Sequence, residues 1–432
     1  MKHTLNLLFS IVLILMLASC KQANQPINTS KEGHYIGTFS YGNFTDNIIF
    51  EVERDSSNYQ VFFTSLEQNA NRIPLQQISV VEDSINFKLQ SDYYTYTFKN
   101  KWVENNEKLQ GSLTVDTITV NYSLEKELKN EQTLKNEDIV FKSNNFSING
   151  TIWYPQKSNG NALVIVTSSG NADRSSSRAE AILFAQKGYT TFHYDKRGTG
   201  NSEGDWTSST IEELSFDDIY AINYFSNKTH IPISKIGIKG SSQGASKVPY
   251  ILNKLPELNY GIVVSCPGVT LLESDLNYWK NSNSHDIGDK IDEAVKLQGD
   301  VFRFIAGTLS KTDLEKLIKS KQDKVWFKNI WIPNLDEVKI DKKLFYSPIP
   351  YFKKVKQPIL IVQGTKDNII PIESSEIIAE ALKKANNNNF EVHFLKGASH
   401  AMNNVDESDF PYWSKLHSNY IETLDKWMSS KN

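Results

Sequence analysis

At 432 residues the chain exceeds one average domain, and its 39% hydrophobic and 22% charged residues are ordinary globular values that exclude a fibrous or disordered polymer. A formal net charge of −3 supplies no large positive field, so binding to nucleic acid by counterion release has no basis here. Cys20 and Cys266 are the only cysteines, too few for a disulfide framework.

Lys2 and His3 precede an apolar run from Leu5 to Leu17 that closes on Leu17-Ala18-Ser19-Cys20. The run is shorter than the roughly 20 residues that span a bilayer, and small residues follow it, so it reads as a cleaved export signal. It resembles a bacterial lipoprotein signal. That resemblance implies a signal peptide over residues 1–20, acylation of Cys20 as the first mature residue, and a membrane-anchored protein of the cell envelope facing away from the cytoplasm. Stable anchoring needs more than one acyl chain, which lipoprotein modification supplies. Residues 21–34 are polar and suit a tether.

Over residues 35–130 the pattern changes to short alternating runs such as Ile85-Asn86-Phe87-Lys88-Leu89 and Tyr94-Thr95-Tyr96-Thr97-Phe98. Aromatic and β-branched residues at period two, broken by turn residues, predict an antiparallel sheet or small barrel of roughly six to eight strands. No clustered His or Cys and no acid pair stands out there. The region reads as an all-β N-terminal domain for recognition or spacing.

From 137 to 432 strand and helix patterns alternate. Strands are expected near 148–154, 162–167, 190–194, 235–239, 261–265, 358–363 and 391–395, with helices near 177–186, 211–225 and 375–385. Several of the strands are nearly continuous apolar runs, as where helices cover both faces of a parallel sheet. The second helix opens on a Thr210-x-x-Glu213 capping box. This predicts a doubly wound, mostly parallel α/β sheet. Pro249 falls inside the helix after 239 and should kink it, at a cost of about 3 kcal/mol unless locally accommodated.

The alternation fails over about 269–350, where helical stretches near 290–297 and 311–321 replace strands. A helical cap inserted there would lie over the C-terminal edge of the sheet, where such folds bind ligands. Its aromatics, Tyr278, Trp279, Phe302, Phe304, Trp326, Phe327, Trp331, Phe345 and Tyr346, would either line an apolar acyl pocket or form the cap's own core. Cys266 ends an apolar run and reads as a buried, inert thiol.

The chemistry sits in two short motifs and a carboxylate between them. Gly240-Ser241-Ser242-Gln243-Gly244 follows the strand pattern 235–239 and precedes a helical one. That strand-turn-helix context puts Ser242 on a sharp turn with its hydroxyl exposed above the sheet, as a nucleophile. A serine hydroxyl needs a base within hydrogen-bond reach. Among eight histidines, His400 alone follows a strand through a glycine-bearing loop, Gly397-Ala398-Ser399. Asp367, after Gln363-Gly364-Thr365-Lys366, stands where it can orient the imidazole and stabilise its charged form. The oxyanion of a tetrahedral intermediate would be received by the backbone amide of Gln243 and by that of Ser169 in the Thr167-Ser168-Ser169-Gly170 loop. No metal or cofactor is implied.

The elbow, the Ser-Asp-His chain order, the Ser169-Gly170-Asn171-Ala172-Asp173-Arg174 run and the Asp195-Lys196-Arg197-Gly198-Thr199-Gly200-Asn201-Ser202 loop together resemble the α/β-hydrolase superfamily. The resemblance covers roughly residues 137–430 and leans toward exported bacterial esterases, acyl hydrolases and serine aminopeptidase-like members. It implies that Asp195, Arg197 and Ser202 shape the site without acting chemically. Ser168 departs from the family pattern, which often has Gly there, and should tighten the oxyanion loop. The expected activity is hydrolysis of a small acyl ester through an acyl-enzyme. A peptidase, aminopeptidase or thioesterase on the same machinery stays open, as does a lipoprotein whose fold only binds. Acyl-chain length and oligomeric state are left undetermined.

Overall fold

The computed structural model describes residues 30–431 except 57, 92–93, 128–133 and 406–407. The export signal and Cys20 lie outside the described residues. Among those described, no helix is long and apolar enough to cross a membrane.

The N-terminal part is an all-β domain of nine strands: β1 (Gly33–Tyr41), β2 (Phe44–Asp55), β3 (Asn58–Ser65), β4 (Ala70–Pro74), β5 (Gln76–Val81), β6 (Ser84–Gln90), β7 (Thr95–Val103), β8 (Lys108–Val115) and β9 (Ile118–Glu127). They form one antiparallel sheet in the order β4-β3-β2-β1-β9-β8-β7-β6-β5. Nine strands exceed the six to eight read from the sequence, because β4 and β5 are short and none of their residues is buried. Alternation sets the inside: in β9 every second residue from Val120 to Leu124 is buried while its neighbours face outward. The sheet curls until the amide of Leu75 donates to the carbonyl of Val61 at 2.9 Å, bringing its two ends together around a core that includes Phe39, Phe50, Phe87 and Phe98.

The second sheet is built from β10 (Lys135–Ser143), β11 (Phe146–Tyr154), β12 (Ala162–Ile165), β13 (Thr190–Tyr194), β14 (Ile236–Ser241), β15 (Tyr260–Val264), β16 (Ile359–Gly364) and β17 (Phe390–Leu395). Their order is β10-β11-β13-β12-β14-β15-β16-β17. β10 pairs antiparallel with β11 and β11 with β13, while every later pairing is parallel. Helices cover both faces, which is why all five residues of β15 are buried. α1 (Ser175–Gln186) and a C-terminal helix pack one face through Phe184, Leu424 and Trp427. α2 (Ile211–Thr229) and α3 (Gln243–Lys254) cover the other through Phe225, Val248 and Ile251. The capping box is present in both directions, with Thr210 and Glu213 each accepting from the other's backbone amide.

α3 continues through Pro249, which cannot donate to the carbonyl of Ala245. Neighbours compensate nearby carbonyls: Tyr346 donates its hydroxyl to Ser246 O at 3.0 Å, and Asn253 donates its side-chain amide to Pro249 O at 2.5 Å. Cys266 is 2% exposed, and burial pushes its thiol well above the ordinary range, so little thiolate forms.

Between β15 and β16 lie α4 (Leu271–Ile287), α5 (Ile291–Ile305), α6 (Lys311–Lys321) and the single turn α7 (Ile349–Phe352). α4 to α6 enclose a small core of their own around Trp279, Leu297, Val301, Leu314 and Trp326, against which Phe304 and Phe327 pack. After β16 come α8 (Ser374–Lys384) and, beyond β17, α9 (Tyr420–Ser429).

Candidate active site

β14 runs into α3 through one residue, Ser242, at φ 52° and ψ −125°. A side-chain-bearing residue with positive φ costs on the order of 1–3 kcal/mol and persists only where its surroundings impose it. Here they do. A Cβ on Gly240 would lie 2.4 Å from Gly244 C, and one on Gly244 would lie 2.9 Å from Thr167 O, so both glycines are needed for the backbone to pass. The Ser242 amide donates to Val264 O at 2.9 Å, and its carbonyl accepts from the Ser246 amide at 3.2 Å. Because peptide units are planar and trans, the Gln243 N–H points opposite to that carbonyl, out of the first turn of α3.

His400 and Asp367 are together. Nδ1 of His400 lies 3.0 Å from each Asp367 oxygen. The carboxylate also accepts from the amides of Ile369 at 2.9 Å and Ile370 at 3.0 Å, and from the Gln363 side chain at 2.9 Å. Burial works to raise the Asp367 carboxyl, but the hydrogen bond and charge of His400, with the two amides, outweigh it and hold it below the ordinary carboxylate range. With Nδ1–H committed to Asp367, Nε2 is the acceptor nitrogen. Ser242 and His400 line the same cavity of 300 Å³, and the Ser242 hydroxyl bonds to no described residue.

The loop that carries Ser169 is clipped to the elbow by Ser168. Ser168 donates its hydroxyl to Ser241 O at 2.8 Å and accepts a long bond from the Gly244 amide at 3.4 Å. Ser169 lines the 300 Å³ cavity and also a second one of 210 Å³, which Ser242 lines too and where Gln243 joins it. From the helical segment, Leu271, Asp275 and Asp341 line that second cavity. Burial, with Asp341 beside it, pushes the Asp275 carboxyl up to about 6. None of the nine aromatics noted in the segment lines either cavity. Trp279 and Trp326 are core, Tyr346 is buried, and Trp331, Phe345 and Tyr278 are exposed to solvent.

Three contributions were not read from the sequence. The loop after His400 threads into the all-β domain, burying Phe410 and Trp413 among its aromatics. Along it Tyr96 donates its hydroxyl to Tyr412 O at 2.8 Å, and the Leu416 amide donates to Glu67 O at 2.7 Å. Asn69, from the same domain, forms part of the wall of the 300 Å³ cavity. Lys196, within the Asp-Lys-Arg-Gly loop, reaches Ser168 and Gly170. Asp195 and Arg197 serve as ties: Asp195 pairs with Arg174 at 2.7 Å and Arg197 with Asp217 at 2.5 Å. Ser202 donates its hydroxyl to Asp195 O at 3.3 Å and accepts from the Asn149 amide at 2.9 Å.

Two protein-family models match the chain. The prolyl oligopeptidase (peptidase S9) family model matches residues 175–297 and 288–423, together more than half of the chain. The acetyl xylan esterase (AXE1) model matches residues 94–217. Two Escherichia coli relatives, each described as an uncharacterized 31.7 kDa protein in the traX-finO intergenic region, are 24% identical over 207 residues, 47% of this chain and 71% of theirs. Among solved structures, Pyrococcus furiosus esterase Pf2001 is similar at 15% identity over 70% of this chain and 93% of that one, with a TM-score of 0.45. The proline iminopeptidase of Mycobacterium smegmatis is 14% identical over 68% and 98%, with a TM-score of 0.44. Est1E from Butyrivibrio proteoclasticus, solved with ferulic acid, is 12% identical over 68% and 96%, with a TM-score of 0.42. The chain belongs to the prolyl oligopeptidase family within the α/β-hydrolase superfamily, and it is a serine hydrolase of that type.

Proposed function

We propose that the protein hydrolyses carboxylic esters of short acyl groups through an acyl-enzyme, with Ser242, His400 and Asp367 as its triad. Ser242 Oγ attacks the ester carbon while His400 Nε2 takes the hydroxyl proton. The charge that develops on the carbonyl oxygen is received by the amides of Gln243 and Ser169, and Asp367 stabilises the imidazolium. Collapse of the intermediate expels the alcohol, which takes the proton from His400. Water activated by the same nitrogen then attacks the acyl carbon and frees Ser242.

The observation that carries this reading is a base held by a buried carboxylate, opening into the cavity that contains a strained elbow serine. The cavity wall mixes polar side chains, such as Ser168, Ser169, Ser176 and Asn69, with apolar ones, such as Ile165, Val264, Met402 and Leu416, and its 300 Å³ suits a small acyl group better than a long chain. Turnover of p-nitrophenyl acetate should fall by about 10⁶-fold in Ser242→Ala and about 10⁴-fold in Asp367→Asn. Near-wild-type activity in either variant contradicts the assignment.

In the same reading residues 269–350 cap the sheet edge, residues 35–130 form the β-rich N-terminal domain and residues 137–432 the hydrolase domain, and residues 1–20 direct acylation of Cys20, with 21–34 as tether. Palmitate labelling that survives Cys20→Ser removes the anchor from the account. A second reading, an aminopeptidase on the same machinery, is favoured by one feature: the Asp275 carboxylate lines the 210 Å³ cavity beside Ser242, where it would receive a substrate amine. Asp275→Asn should then slow aminoacyl p-nitroanilides and spare p-nitrophenyl acetate. An equal effect on both substrates removes that reading.

A further inference from the structure

We infer that Lys196 is a positioning residue for the oxyanion hole, gripping the carbonyls on either side of Ser169 so that the Ser169 amide is aimed at the substrate carbonyl oxygen. The inference rests on the acyl-enzyme reading above and adds a residue to it.

Lys196 is 3% exposed and forms no ion pair with a described carboxylate. A lysine buried this far ordinarily has a carboxylate partner, because an isolated ammonium is costly to take out of water. Its ammonium instead donates to Ser168 O at 2.8 Å and to Gly170 O at 2.5 Å, and lies 4.2 Å from the centre of the Trp206 ring. Two backbone carbonyls separated by one residue thus converge on a single cation.

The geometry of the peptide unit supplies the rest. The Ser168 carbonyl and the Ser169 N–H belong to the same planar unit, and no cis peptide occurs among the described residues. In a trans unit the C=O and N–H bonds point in opposite directions, so fixing the carbonyl on Lys196 fixes the amide proton on the far side. Ser169 lines both cavities that Ser242 lines. The Ser168 hydroxyl holds the same residue to Ser241 O, so the loop is fixed to the elbow on one side and to Lys196 on the other. A donor that need not reorganise during the reaction is what gives an oxyanion hole its effect.

The grip is charge-assisted and therefore depends on the proton. Burial first, then the neighbouring charges of Lys247 on α3 and Lys343 from the helical segment, push Lys196 down to about 8, opposed in part by Asp218 on α2. Below that value the ammonium holds both carbonyls. Above it the amine has two protons left to donate and no charge, and the grip weakens.

The test is steady-state kinetics on p-nitrophenyl acetate for the full chain, with wild type, Lys196→Met and Lys196→Arg compared from pH 6 to 10. Lys196→Met should lower kcat by roughly 10²-fold, the scale of a lost oxyanion donor, with KM changed by no more than about threefold. Lys196→Arg should recover at least a tenth of wild-type kcat. Wild-type kcat should fall above about pH 8, and in Lys196→Arg that limb should disappear, since a guanidinium stays charged. The wild-type and Arg profiles decide the matter even if the Met variant does not fold. A Met variant with wild-type kcat, or an alkaline limb unchanged by arginine, overturns the inference. Activity that survives Ser242→Ala would instead overturn the reading beneath it.

Discussion

The Trp413 ring packs on Phe39 with centroids 4.6 Å apart, joining the loop that follows His400 to the core of the all-β domain. Phe410 meets the same Phe39 ring edge-on at 5.0 Å, so two aromatics from one loop pack into the core of the curled sheet. Local bonds carry that anchorage back to the histidine: the Ser399 amide donates to Asn403 O at 2.8 Å, and Ser265 donates its hydroxyl to His400 O at 2.9 Å. The domain read from the sequence as one for recognition or spacing therefore holds the loop that carries His400.

Trp413→Ala should lower stability toward urea by about 3–5 kcal/mol, the usual cost of deleting a buried aromatic. At temperatures where the variant is still folded, kcat should fall as well, because the His400 loop loses its anchor. Urea titration and kcat on p-nitrophenyl acetate check both parts. Unchanged kcat in a folded variant would separate the all-β domain from catalysis.

Gly244→Ala should abolish activity and reduce the soluble yield. The added Cβ would meet Thr167 O at 2.9 Å, and a backbone carbonyl cannot swing aside as the far end of a flexible side chain can. Gly160→Ala offers the comparison: its Cβ meets nothing within 4 Å, although its φ of +82° still strains an alanine. Equal activity of the two variants would contradict the steric account of the elbow.

His193 provides a pH signature. Its ring is fully buried, with Nδ1–H donating to Arg174 O at 2.9 Å and Nε2 accepting from the Trp153 indole at 3.0 Å, a pattern that needs the neutral form. Burial pushes it from the ordinary 6.5 down to about 3. Below about 6.5 the unfolded chain binds a proton that the native state refuses, so this residue's contribution is present above that pH and is lost as pH falls, by up to about 1.4 kcal/mol per unit. Urea unfolding at pH 7.5, 6.5 and 5.5 should show one proton less of pH dependence in His193→Gln than in wild type. Parallel curves for the two proteins would contradict the assignment.

What the sequence revealed follows from what burial does to sequence. β15 is legible because strands covered on both faces must be apolar throughout, and the elbow because its two glycines have no substitutes. β10 escaped notice because its apolar run is only Ile139-Val140-Phe141, set directly after a charged stretch, and so reads as the end of a linker. The anchor at Trp413 is invisible for another reason: it joins segments more than 300 residues apart, as the bond from Tyr96 to Tyr412 does, and no local pattern records such a pairing. Lys196 was passed over because its acceptors are backbone carbonyls, which have no side-chain identity to read. Ser168, by contrast, announced itself as a departure from glycine, and its hydroxyl ties the loop to the elbow.

The most direct measurement is the intact mass and peptide map of the protein after reaction with a fluorophosphonate, an electrophile that modifies only a serine sharpened by a neighbouring base. One adduct per chain is expected, on Ser242, lost in Ser242→Ala and formed far more slowly in His400→Ala. An adduct on another residue, or labelling that persists without the Ser242 hydroxyl, would contradict the account.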